Sequence, residues 1–108
     1  MAEIEAAFPR ARLIERTGNP AITGFQLPKV VWLRRHEPEA FARTVRVLLP
    51  KDYLGFHLTG EAVAEPADAS GTNAYHLASG AWDEEVLAAV GLDPALWPRL
   101  VRSDEIVG

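Results

Sequence analysis

The apolar positions of the chain fall into short groups that proline and glycine separate. Ala2 to Phe8 is rich in alanine and glutamate, which favour a helix. Pro9 suits the first turn of a second short helix, and Gly18 is a suitable residue for ending it. Pro28 is predicted to begin a further helix over Lys29 to His36. The first third of the chain is therefore expected to be helical.

The middle of the chain mixes signals for strand and helix. Val45 to Leu49 alternates between apolar and polar residues and then becomes wholly apolar, which predicts a short strand. In the helix expected next, Asp52 lies near the positive end, and Leu54 and Leu58 share a face. Residues 61–72 are mostly small and predict a loop.

The last third of the chain contains the clearest local pattern. After a strand predicted over Asn73 to Leu77, Asp83 is placed to cap a helix over Glu84 to Val90 that Gly91 ends. The pair Asp93-Pro94 repeats the combination of a cap and a proline for one more turn. The pattern as a whole predicts one small α+β domain that is mainly helical and has short strands.

Composition and charge exclude several classes of protein. The chain has no cysteine, so it offers no disulfide framework and no zinc–thiolate site. Its net charge of -4 argues against a nucleic-acid partner. The longest apolar run, Val86 to Val90, is far shorter than the roughly 20 residues that cross a bilayer. Glu3 and Glu5 stand where a secretory signal would be positive, so we expect no membrane partner and a cytoplasmic location.

The residues with potential chemistry do not form a recognisable catalytic set. His36, His57 and His76 lack the spacing of metal ligands on a helix, although a site assembled in three dimensions stays open. Asp68 has two interpretations, a catalytic acid or base and a local turn or helix cap. Arg34 to His36 is interpreted as the solvent-facing side of a helix.

Loops that bind phosphate and elbows that carry a nucleophile are also missing from the sequence. Neither G-x-x-x-x-G-K-[ST], G-x-G-x-x-G nor G-x-S-x-G occurs. The residues alone therefore predict a fold and no complete active site.

The stretch from Gly24 to Leu33 contains Lys29 and Trp32 three residues apart, and several further segments follow it in a fixed order. Taken together, these segments resemble the FGGY family of carbohydrate kinases, and within it the D-xylulokinases, with Lys29 and Trp32 matching the first family signature. Gln26 departs from that signature, and Glu65 and Ala67 depart from the usual xylulokinase residues. The other matching segments are His36 to Glu39, Val47 to Leu54, Leu58 to Glu61, Asp68 to Thr72, Trp82-Asp83 and Ser103 to Gly108.

The resemblance implies a fragment of a ribonuclease-H-like lobe of an actin-like ATPase, with residues 1–108 forming part of an FGGY kinase N-terminal domain. It further implies transfer of the γ-phosphoryl group of ATP, with Mg²⁺, to a sugar hydroxyl. In the family an Asp-x-Gly-Thr hairpin meets the phosphates, and an Asp in a Gly-Asp-Asn/Gln segment acts as the base. This chain contains neither motif, and Asp68 does not match the base. We therefore expect no catalytic, cofactor-binding or metal-binding residue and no activity of the chain alone.

In the family that the chain resembles, the loop that precedes Pro28 can approach the sugar. Gly24 and Phe25 are accordingly the expected neighbours of the substrate, with a position in the core as the alternative for Phe25.

Three hypotheses for function follow. In the first, the chain is a slice of a kinase that phosphorylates D-xylulose, since it stops within the apolar segment Ile106 to Gly108. Its partners would then be the sugar and the remainder of the kinase chain, and the slice would expose an apolar face and self-associate. The second is an independent helical interaction module derived from the kinase, and the third is a helical DNA-binding module.

Overall fold

The computed structural model describes residues 2–107. These residues are mainly helical, as the pattern predicts. The helices are α1 (Ala2–Ala7), α2 (Arg10–Thr17), α3 (Gln26–His36), α4 (Pro38–Ala42), α5 (Pro50–Thr59), α6 (Pro66–Ala69) and α7 (Glu84–Ala89), and a single 3-10 turn spans Pro94–Leu96. The strands are β1 (Val63–Ala64), β2 (Tyr75–His76), β3 (Ala81–Trp82) and β4 (Arg99–Leu100).

The helix ends that capping residues predict are confirmed. Gly18 adopts φ 82°, and its N–H donates to the carbonyl of Ile14 at 2.8 Å, which ends α2. The carboxylate of Asp83 accepts from the N–H of Val86 at 3.1 Å at the start of α7. Local capping chemistry therefore sets the limits of these two helices.

The start of α3 differs from the prediction. The helix begins at Gln26 and not at Lys29, so Pro28 lies in its third position. A proline is tolerated there because the first N–H groups of a helix have no partner within it. The N–H of Leu27 instead donates to the carbonyl of Thr72 at 2.9 Å.

The strand predicted over Val45 to Leu49 is wrong. Within the described chain these residues pair with no strand. The N–H of Val47 donates to the carbonyl of Leu96 at 2.7 Å, and Val45 is largely exposed. The alternating apolar and polar residues thus lie in an extended segment that pairs with no strand of the described chain.

The loop predicted over residues 61–72 and the strand predicted over Asn73 to Leu77 are correct only in part. The first contains β1 and α6, and the second pairs only over Tyr75–His76. Asn73 cannot continue a strand because its φ is 65°, in the left-handed region.

The described chain contains two small sheets, one between distant segments and one between neighbouring segments. β1 pairs in parallel with β4, so that Ala64 faces Leu100. β2 pairs antiparallel with β3, so that Tyr75 faces Trp82.

One apolar core lies between the helices and draws its residues from Ile4 to Trp97. It holds α1, α2, α3 and α7 together, and the residues before α3 pack against this same core. Its buried members are Ile4, Phe8, Leu13, Ala21, Leu27, Val30, Val31, Ala74, Val86, Leu87, Val90, Leu92 and Trp97.

Candidate functional site

The loop between α2 and α3, residues 18–25, carries the two predicted neighbours of the substrate. Gly24 is exposed, and Phe25 is half-buried and does not belong to the central core. The N–H of Phe25 donates to the carbonyl of Ile22 at 3.1 Å. Nζ of Lys29 donates to the carbonyl of Gly24 at 3.3 Å. The loop is thus folded back onto the first turns of α3.

A cleft of about 540 Å³ opens beside this loop. Thr23 and Lys29 line it on the loop side, and Trp32, Arg35 and His36 line it along α3. The Trp32 side chain is 54% exposed, and its ring stacks on that of His36 with centroids 4.6 Å apart. Trp32 matches the family signature, but the cleft that it lines could not be recognised in the sequence. It offers an aromatic wall next to cationic groups that can donate hydrogen bonds. The other lining residues are Glu3, Pro28 and Val31.

The three histidines have separate local partners. His36 stacks on Trp32, and His57 meets Tyr53 edge to face at 4.5 Å. Nδ1 of His76 lies 2.8 Å from the hydroxyl of Ser79. Over residues 2–107 no three His, Asp or Glu side chains lie together in a way that could hold a metal ion. The structure therefore does not bring the three histidines together.

The carboxylate of Asp68 does not cap α6. Its carboxylate is half-exposed and lies 3.7 Å from Nζ of Lys51. The cap of α6 is Glu65, which accepts from the N–H groups of Ala67 and Asp68, both at 2.9 Å. The interpretation of Asp68 as a local cap is therefore wrong. The signal for the true cap was present, since Glu65 precedes Pro66 just as Asp93 precedes Pro94.

Glu65 is also the centre of a polar cluster that the sequence did not predict. The hydroxyl of Ser103 donates to its carboxylate at 2.6 Å, and Nζ of Lys51 lies 3.3 Å away. The hydrogen bond from Ser103, together with those at the helix start, lowers the pKa of Glu65 to about 2 despite partial burial. The cluster joins α5, α6 and the segment after β4.

Arg34 also has a different role from the one expected. Its Nη1 donates to the carbonyls of Val90 at 2.6 Å and Gly91 at 3.1 Å, beyond the last turn of α7. Arg35 and His36 are exposed, as expected for the side of a helix that faces solvent. The side chain of Arg34, on α3, thus caps the C-terminal end of α7.

The described residues do not fit ATP with its magnesium ion. Gly71-Thr72 is the pair closest in type to a phosphate hairpin, but Thr72 is fully buried. Its hydroxyl donates to the carbonyl of Ala69 at 2.7 Å and accepts from the N–H of Ala74 at 3.1 Å. The hydroxyl is therefore committed to the turn. We derive no step of phosphoryl transfer from these residues.

Asp83 is the buried carboxylate with the most complete set of partners. Nε and Nη2 of Arg16 donate to its two oxygens at 2.8 and 3.2 Å. Burial alone would raise the pKa of Asp83, but the hydrogen bonds from Arg16 and Val86 outweigh burial, so the pKa is lowered. A carboxylate held in its ionised form in this way is a poor proton acceptor, and it serves to join α2 to α7.

Similarity to solved structures defines the class of the chain. The xylulose kinase from Rhodospirillum rubrum superimposes with a TM-score of 0.90 at 29% identity, over 99% of this chain and 22% of that one. The fold is therefore that of a segment of a sugar kinase. Among curated proteins, the xylulose kinase of Streptomyces rubiginosus is 49% identical over 94 residues, 87% of this chain and 20% of that protein. The xylulose kinase of Escherichia coli K12 is 42% identical over 105 residues, 97% of this chain and 21% of that protein.

These matches identify the family directly. Residues 1–108 match the N-terminal domain of the FGGY family of carbohydrate kinases, and the chain belongs to that family. It spans about a fifth of the length of the curated relatives. The family resemblance seen in the sequence is confirmed.

No helix of residues 2–107 has the length and apolar character required to cross a membrane.

Proposed function

We propose that this chain is part of an ATP-dependent kinase that phosphorylates D-xylulose to D-xylulose 5-phosphate in the cytoplasm. The observation that carries the proposal is the 49% identity to a xylulose kinase over 94 residues. The phosphate hairpin and the catalytic Asp are then supplied by other parts of the kinase, because the described residues offer neither.

In this kinase, we propose that Gly24 and Phe25 lie next to the sugar. A Cβ atom built on Gly24 would meet no atom within 4 Å, so the loop opens onto free space at this position. The adjacent cleft contains groups that can donate to hydroxyl oxygens, among them the ammonium of Lys29. The contribution of the chain is to bind and orient the sugar, which lowers the entropic cost of phosphoryl transfer.

The test is a segment-exchanged kinase, in which this chain replaces the matching segment of the Streptomyces rubiginosus xylulose kinase. Release of ADP is then measured with D-xylulose, D-ribulose, glycerol and gluconate. We expect phosphorylation of D-xylulose in preference to the other three.

The matched control is the same exchange made with the corresponding segment of the Escherichia coli xylulose kinase, which shows whether the exchange is tolerated. Activity confined to glycerol, ribulose or gluconate would keep the family and refute the choice of xylulose. A folded exchange that is inactive on all four, beside an active control, would refute the proposal.

A further inference from the structure

Asn73 lies under the start of the loop that carries Gly24 and Phe25. It is fully buried, and its φ of 65° places the backbone in the left-handed region. Asparagine tolerates this conformation better than most residues, but glycine adopts it more readily. The backbone alone therefore does not explain an asparagine at this position.

The side-chain amide of Asn73 provides the missing reason. Its Nδ2 donates to the carbonyls of Asn19 at 3.3 Å and Pro20 at 3.2 Å. Both acceptors lie at the start of the loop and are more than 50 residues away in sequence. One donor group thus holds the carbonyls of two successive residues, which precede Gly24 with three residues between.

Two neighbours of Asn73 hold the same loop. Nδ2 of Asn19 donates to the carbonyl of Ser70 at 3.0 Å, and the N–H of Leu27 donates to the carbonyl of Thr72 at 2.9 Å. The turn of Ser70, Thr72 and Asn73, which we call the loop clamp, therefore binds the chain before Gly24 and after Phe25.

The clamp has an energetic cost. Oδ1 of Asn73 is buried and has no hydrogen-bond partner within the described part of the chain. A buried carbonyl oxygen without a partner is unfavourable, and a non-glycine residue with positive φ adds strain. Features of this kind are concentrated where a structure must hold a functional segment in place.

We infer that Asn73 is a positioning residue for the sugar, which acts by fixing the loop in the geometry that places Gly24 and Phe25 beside the substrate. The inference rests on the proposed function. The contacts of Asn73 with Asn19 and Pro20 stand independently of it.

The first experiment measures amide hydrogen exchange in this chain. Asn73→Gly keeps the left-handed backbone and removes the donor, so the N–H of Phe25 should exchange about ten-fold faster relative to the amides of α7. The control is Asp93→Gly, which removes a hydrogen bond to the N–H of Ala95 at the start of the 3-10 turn and no hydrogen bond to residues 18–25. Unchanged hydrogen exchange at the N–H of Phe25 would overturn the inference. An equal rise in the amides of α7, or an Asn73→Gly chain that does not fold, would overturn it as well.

The second experiment measures kinetics in the segment-exchanged kinase. Asn73→Gly should raise the KM for D-xylulose about ten-fold and leave the KM for ATP unchanged, while Asp93→Gly changes neither. Faster loop exchange with an unchanged KM for D-xylulose would show that the clamp holds a loop that does not meet the sugar, and would overturn the inference. If the segment-exchanged kinase with Asn73 unchanged has no activity on any ketose, the proposed function itself is refuted. The hydrogen-exchange data would still decide whether Asn73 holds the loop.

Discussion

At the scale of single residues, Glu65 has a carboxylate that several groups stabilise in its charged form. Two backbone N–H groups and the hydroxyl of Ser103 donate to it, and Lys51 lies close by. The pKa of the side chain is about 2 in the folded chain, against an ordinary value of 4.5. The folded state therefore binds this proton less readily than the unfolded state does.

The first prediction concerns the pH dependence that follows. Glu65 stabilises the fold fully above its unfolded pKa, and this contribution is lost as the pH falls from about 5 to about 2. Glu65→Gln should therefore lower the free energy of unfolding by roughly 1–2 kcal/mol at pH 7, after allowance for solvent, and by less at pH 3. Urea unfolding at pH 7, 4 and 3 measures both values, with Glu39→Gln on the exposed part of α4 as the control. Parallel pH profiles for the wild type and Glu65→Gln would contradict this prediction.

Residue chemistry also separates what the sequence could predict from what it could not. The cap at Asp83 follows from a short polar residue before an apolar helical pattern, and the structure confirms it. The cap at Glu65 was missed because small residues follow it and resemble a loop. Asn73 was missed because its role depends on carbonyls more than 50 residues away.

At the scale of elements, the contact between α2 and α7 depends on Arg16. Its guanidinium meets the two oxygens of Asp83, whose side chain is fully buried, and also lies 2.8 Å from Glu85. Removal of one partner of a buried pair leaves an uncompensated charge, which is costly. This pair thus controls how α2 and α7 are held together.

The second prediction is that Arg16→Met destabilises the chain by about 3 kcal/mol, whereas Arg12→Met costs less than about 1 kcal/mol. Arg12 is the matched control because it contacts Glu85 at 3.3 Å with both side chains half-exposed. Chemical denaturation followed by circular dichroism measures both variants. Equal losses for the two would show that burial of Asp83 does not decide the strength of the contact.

Elements with local signals were predictable, and elements that depend on a distant partner were not. The strand pair β1–β4 joins Val63 to Arg99, and nothing in either two-residue segment predicts the other. Val45 to Leu49 has the stronger strand pattern, yet no strand among residues 2–107 pairs with it. The position of Gly24 and Phe25 was implied only by family resemblance, and the neighbouring cleft came from the structure.

At the scale of the whole molecule, α5 presents an apolar surface that nothing in the described chain covers. Leu54 is 60% exposed and Leu58 is 77% exposed, and Val45 and Tyr53 are also exposed. Val45 and Tyr53 also line a cleft of about 480 Å³. A surface of this kind usually marks a contact with another part of a protein. In the proposed kinase, the remaining four-fifths of the chain would be available to cover it.

The third prediction is therefore that the chain self-associates in isolation through α5. The double variant Leu54→Glu and Leu58→Glu should weaken self-association by about 100-fold, because it places charges on the surface that would be buried. Both side chains are already exposed, so the variant should keep the thermal stability of the monomer. Sedimentation velocity over a range of concentrations measures the association.

Ile14→Glu is the matched control, since Ile14 is 40% exposed and lies on a different helix, α2. It should leave the association of the chain unchanged. If the wild-type chain is monomeric at all concentrations and unfolds cooperatively, the surface of α5 needs no cover, and the chain behaves as the independent interaction module. If the double variant is monomeric and folded while Ile14→Glu still associates, α5 is an incomplete interface, as expected for a slice of a larger kinase.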